Sequence, residues 1–264
     1  MVLSSRARDR NRTATGHQRR NLSVESCSYD RLRNGREEEL SPIATGKHLK
    51  LTVIVPVFNE RQTLAMLLEQ LSKTNLQIDS EVIVVDDGST DGSDKIIGKH
   101  GWVKSIHHDR NMGKGAAVRS GIALSSGDFI CILDADMEYL PEDLPSLVEP
   151  LVDGKADAVF GSRFLGRPIY ISLKSYVGNK ILTKLAQIVY KAQITDVMTG
   201  YKIFPRYLSA NPPLDIASFG FEIEITARLV AAKCRIVEVP ISYHARKFGK
   251  KIGWGDGVMS VYYI

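Results

Sequence analysis

From Leu51 onward, short apolar runs alternate with longer stretches in which apolar residues recur every three or four positions. The run LTVIVPVF (51–58) predicts a first strand and residues 61–73 a helix. EVIVVDD (81–87) predicts a second strand followed by a helix near 93–100, and VKSIHH (103–108) a third strand before a helix over GKGAAVRSGIALSS (113–126). DFICILDAD (128–136) and DAVFGSRF (157–164) continue the series. Further helices are expected over 172–194 and in FEIEITARLVAAK (221–233), with a last strand in RIVEVPISYHA (235–245). Strands apolar on both faces and alternating with helices belong to a parallel sheet covered on both sides. The expected fold class is α/β, a Rossmann-like, mostly parallel sheet. Residues 50–264 form one domain, and 1–49 read as a disordered basic tail.

Charge sharpens that partition. Residues 1–50 hold eleven Lys/Arg against six Asp/Glu, whereas residues 51–264 hold twenty-four of each sign. The basic balance therefore belongs to the leader, and nothing argues that the domain binds nucleic acid. The leader has no apolar run suited to a signal peptide, and a solvated tail is expected rather than a targeting address. No stretch approaches eighteen apolar residues, so no membrane-spanning helix is expected. Three cysteines, Cys27, Cys131 and Cys234, follow no metal-ligand spacing. Their odd number suits a reduced compartment, so a cytoplasmic location is expected.

The candidate chemistry sits at the ends of apolar strands, where open α/β sheets build ligand sites. Asp86 and Asp87 close the second strand before Gly-Ser-Thr-Asp-Gly, and a carboxylate there can accept the ring N–H of a nucleotide base. The same residues also read as a turn and helix cap. Pro56 ends the first strand, and Asn59 and Glu60 in PVFNE can accept from a sugar or base. Asp134-Ala135-Asp136 projects two carboxylates from the fourth strand end, and Glu138 repeats the spacing. Oxygen-only ligands of this kind suit Mg2+ or Mn2+. Lys114 opens a helix whose N-terminus could face an anion. Later cations are Arg163, Lys202 and the run Arg246, Lys247, Lys250 and Lys251.

PVFNE, VVDDGSTDGS, the GKG segment, DADMEY, GSRF and TGYKIF occur in an order that resembles family-2 nucleotide-sugar glycosyltransferases, in the branch of dolichyl- and polyprenyl-phosphate mannose and glucose synthases. The resemblance implies a GT-A fold, a GDP-mannose- or UDP-glucose-type donor, a divalent metal and inversion at the anomeric carbon. It implies that Pro56, Phe58, Glu60 and Asp87 contact the nucleotide. Asp134 and Asp136 would lie at the diphosphate, with Asp136 on the metal. Arg163, Lys202 and the cations at 246–251 would surround the donor diphosphate and acceptor phosphate.

A polyprenyl-phosphate acceptor, already ionised near neutral pH, needs no strong base. A hydroxyl acceptor on a lipid or glycan would need one, with Asp196 or Glu222 as candidates. A catalytically silent nucleotide-sugar-binding module is the third possibility, disfavoured by the intact acids. In the helix over 172–194, Lys180, Lys184 and Lys191 fall on one side, opposite Ile, Leu and Val positions. Such a helix can lie on an anionic membrane surface or pack on the domain with its lysines in water. The expected place of work is the membrane periphery, reached directly or through a membrane-anchored partner.

Overall fold

The computed structural model describes residues 49–166, 168–169, 173–210 and 220–245. The expected N-terminal tail and the cations at 246–251 lie outside the described residues. Seven strands build the main sheet: β1 (Lys50–Val57), β2 (Asp79–Asp86), β3 (Lys104–His107), β4 (Phe129–Ile132), β5 (Ala158–Ser162), β7 (Lys202–Pro205) and β8 (Ile236–Pro240). A separate pair joins β6 (Pro168–Ile169) to β9 (Tyr243–His244). The helices are α1 (Leu64–Lys73), α2 (Ser93–Ile97), α3 (Lys114–Leu124), α4 (Leu144–Val152), α5 (Leu173–Tyr190), α6 (Tyr207–Ala210) and α7 (Phe221–Ala231).

The spatial order is β3-β2-β1-β4-β7-β5-β8. Pairings β1–β2, β2–β3, β1–β4 and β5–β8 are parallel, and β7 runs antiparallel between β4 and β5. The chain first steps outward from β1 to β3, then returns through α3 to place β4 on the other side of β1. That reversal makes a crevice at the carboxyl ends of β1 and β4, the usual ligand position in such sheets. Alternate strand residues feed two cores. Val53, Val55, Val57 and Val84 pack with α1 and α4, whereas Ile54, Ile83 and Val85 pack with α3 and α7. This two-sided burial explains the nearly unbroken apolar strands.

Helix α3 comes unusually close to the sheet because its inner face is small. A Cβ on Gly121 would lie 2.5 Å from Ile54 Cγ2. Several boundaries differ from the pattern-based expectation. Helix α5 ends at Tyr190, and Lys191 adopts φ 52°, so it leaves the helical lysine face. The expected last strand divides into β8 and β9 around Ile241-Ser242. β7 and α4 had no counterpart in the pattern. The run Lys202–Pro205 hides a strand behind a lysine and a proline, and LPSLVEPLV carries two prolines within nine residues.

Candidate active site

Two loops at the sheet's carboxyl edge are sewn together. Asn59, held at φ 55°, accepts from the Thr90 amide at 2.8 Å through Oδ1 and donates its own amide to Ser89 Oγ at 3.0 Å. The Glu60 amide donates to Ser93 Oγ and the Arg61 amide to Asp91. Pro56 and Phe58 are half-buried beside this seam. Asn59 thus spends its side chain on the neighbouring loop.

Asp86 and Asp87 are both buried. The Asp87 carboxylate accepts from the amides of Met112 (2.9 Å) and Gly113 (2.7 Å) and from His108 Nδ1 (2.7 Å). A carboxylate only accepts, so His108 carries its proton on Nδ1, and in the neutral ring Nε2 accepts from Ser120 at 2.9 Å. Asp86 accepts from the Ser89 amide and from His107. The described contacts of both acids anchor the 107–113 loop and seat the start of α3. Gly88 allows that closeness, since at φ 73° a Cβ would lie 2.5 Å from the Arg110 carbonyl carbon.

Beyond β4, Leu133 still bonds to Ile54, and the chain then turns. Met137 at φ 61° makes the bend that follows Asp134, buried Ala135 and Asp136. Asp134 pairs with Lys114 Nζ at 2.8 Å, and that ammonium lies 3.8 Å from Glu222 Oε1. Burial disfavours the Lys114 ammonium, but the charges of Asp134 and Glu222 outweigh it and raise the group above the ordinary lysine range. Glu222 Oε2 is buried with no hydrogen-bond partner among the described residues. Asp136 Oδ1 accepts from the Glu138 amide at 3.0 Å, and Glu138 Oε2 accepts from Tyr243 at 2.7 Å. Lys114 at the start of α3 thus lies between Asp134, just after β4, and Glu222, near the start of α7, while Asp136 and Glu138 follow on the same turn as Asp134.

Arg163 and Asp196 also come together, though differently from expectation. The guanidinium forks onto Asp196 with Nε–Oδ2 and Nη2–Oδ1 both 2.7 Å, and the Arg163 amide donates to Oδ2 at 3.1 Å. Asp196 is fully buried, so both its oxygens serve Arg163 and a general-base role does not fit its placement. Lys202 is likewise inside. Its ammonium donates to the carbonyls of Val197 (2.7 Å), Thr199 (2.9 Å) and Glu222 (3.1 Å), which fixes the loop before β7 instead of presenting a cation to phosphate. Burial pushes its pKa down to about 7.

Three further residues shape the site that the sequence analysis did not single out. Glu238 accepts from the amides of Thr195 and Asp196 and so holds the acid that holds Arg163. Tyr139 accepts from the Gly200 amide, and Tyr243 lies under Arg163 at 5.2 Å. An acid within the apolar run RIVEVPI was the available signal for Glu238.

The profile of glycosyl transferase family 2 matches residues 52–210. The chain belongs to that family. Among curated relatives, the low-salt glycan biosynthesis hexosyltransferase Agl6 of Haloferax volcanii is 33% identical over 75% of this chain and 48% of its own length. The dolichol-phosphate mannosyltransferase of Pyrococcus furiosus is 29% identical over 76% of this chain and 58% of its own. The chain thus spans about half the length of these family-2 relatives. Glucosyl-3-phosphoglycerate synthase of Mycobacterium tuberculosis, solved with Mn2+, UDP and glucosyl-3-phosphoglycerate, superposes with a TM-score of 0.64. It covers 81% of this chain and 78% of its own at 21% identity, a likeness of fold. That fold is GT-A, as the family-2 motifs implied.

Proposed function

We propose that this chain moves a hexose from a nucleoside-diphosphate sugar of the GDP-mannose or UDP-glucose kind to a polyprenyl or dolichyl phosphate at the cytoplasmic membrane face. The observation that carries the reading is the cluster at the crevice beside β1 and β4, where Lys114 lies between Asp134 and Glu222 with Asp136 two residues on. The name of the Pyrococcus relative supports a lipid-phosphate acceptor.

The residues fit a divalent ion. Asp134 and Asp136 offer hard oxygen donors, and no group of three or more His, Cys, Asp or Glu converges among the described residues. Asp134 and Asp136 would hold Mg2+ or Mn2+, for which carboxylate oxygens are suited donors. When bound, the ion neutralises charge on the departing diphosphate. Lys114 contributes a fixed positive charge that needs no reorganisation during reaction. The seam between residues 58–61 and 89–93 holds the nucleotide end. A phosphate oxygen of the acceptor bonds to the anomeric carbon as its bond to the donor diphosphate breaks. The electron pair leaves on the nucleoside diphosphate, with inversion.

A second reading, transfer to a hydroxyl, is favoured by one observation: among the described residues Glu222 Oε2 has no hydrogen-bond partner, whereas both Asp196 oxygens are taken by Arg163. Glu222 is then the base. A screen of labelled nucleotide sugars against polyprenyl phosphate and against hydroxyl acceptors separates the two. Label in the lipid phosphate supports the first; label only in hydroxyl products replaces it with the second.

A further inference from the structure

We infer that helix α5 is a membrane-docking element that lies along an anionic bilayer surface through an exposed apolar stripe. Leu173, Val177, Ile181 and Ile188 are 77%, 47%, 55% and 63% exposed. At 100° per residue they fall within an arc of about 80°, with Lys184 inside it. The opposite side is already used: Leu182 and Ala186 pack on Val197, and Thr183 accepts from the Val197 amide. Of the thirteen large hydrophobic residues exposed among those described, six lie on this one helix. Isolated exposed apolar residues need no explanation, but a stripe along a helix of eighteen residues does.

Charge selects the occupant. From Arg163 to Thr195 the chain carries six Lys/Arg and no Asp or Glu. An apolar stripe with lysines beside it and no acid matches a surface that is apolar within and negative at its headgroups. A self-association face would expose the same lysines to one another. No described helix is long and apolar enough to cross a membrane, so the stripe points to lying on the surface. The helix is also tied to the site. Lys180 Nζ stands 3.9 Å above the Phe164 ring, Phe164 packs edge-on to Tyr176, and Arg163 immediately precedes it. Docking through α5 would hold the Arg163 edge near headgroup level, where a lipid phosphate resides. That consequence rests on the proposed acceptor; the docking itself does not.

The test is flotation of the full chain with vesicles of phosphatidylcholine alone and with about a third phosphatidylserine, without any acceptor. The expected result is capture by the anionic vesicles, reduced at least tenfold by Val177→Glu with Ile181→Glu and severalfold by Lys184→Glu, with unchanged melting. Equal capture of the double variant, or no capture by either vesicle, overturns the docking. A concentration-dependent dimer that the double variant dissociates, in a chain that ignores vesicles, assigns the stripe to a second copy instead. Transfer assays on a short water-soluble polyprenyl phosphate separate this from the catalytic reading. If that transfer fails while flotation succeeds, the acceptor assignment falls and the docking stands.

Discussion

Asp136 and Asp196 show how differently two acids of one site behave. Asp136 sits on a half-buried turn after β4, and its replacement by Ala removes a proposed metal donor without touching the core. Transfer is expected to fall on the order of 100-fold or more, with melting little changed, in a labelled-sugar assay. Asp196 is fully buried against Arg163. Asp196→Ala strands a buried guanidinium and should cost about 3–5 kcal/mol in urea denaturation. Glu222→Gln distinguishes acceptors: phosphate acceptors should lose less than about tenfold, whereas a hydroxyl acceptor relying on this base should lose about 100-fold or more. The acids that the sequence made legible end apolar runs, where a charge stands out. What it did not disclose was their employment. Asp87 feeds two amides and His108, and Lys202 three carbonyls, because those partners come from loops distant in sequence.

Among the elements, β1, β2 and β4 were legible because burial on both faces leaves little room for polar residues. β7 was not, since its first residue is a lysine whose charge is absorbed by carbonyls behind the strand. The lysine also sets a pH dependence. Its folded pKa is depressed to about 7, below the ordinary value near 10.4, so between those limits the unfolded chain binds more protons. Stability should therefore rise with pH from 7 toward 10, and Lys202→Met should flatten that slope in denaturation at a series of pH values. Helix α3 makes a separate prediction. Gly121→Val drives side-chain atoms into Ile54 and should destabilise by about 1–3 kcal/mol, seen as a lower urea midpoint. Helix α5 was legible as amphipathic, but its polarity was misjudged: apolar residues share the exposed face with Lys184.

At the scale of the whole molecule, the strand order places the acids of β2 and β4 on either side of β1, at the reversal where such sheets bind ligands. Motifs nearly fifty residues apart in the chain therefore reach the same edge of the sheet. Gly200, just before the antiparallel β7, lies beside Asp134, Lys202 of that strand binds the Glu222 carbonyl, and α7 brings the Glu222 carboxylate to Lys114. This geometry supports the donor half of the proposed reaction, and the name of the Pyrococcus relative supports the acceptor half. The most direct test is therefore transfer of labelled hexose by the purified chain to polyprenyl phosphate, with Mg2+ or Mn2+ and with a chelator. The account predicts labelled lipid phosphate that disappears with the chelator and in Asp136→Ala. Undiminished transfer under either condition, or label only on hydroxyl acceptors, would contradict it.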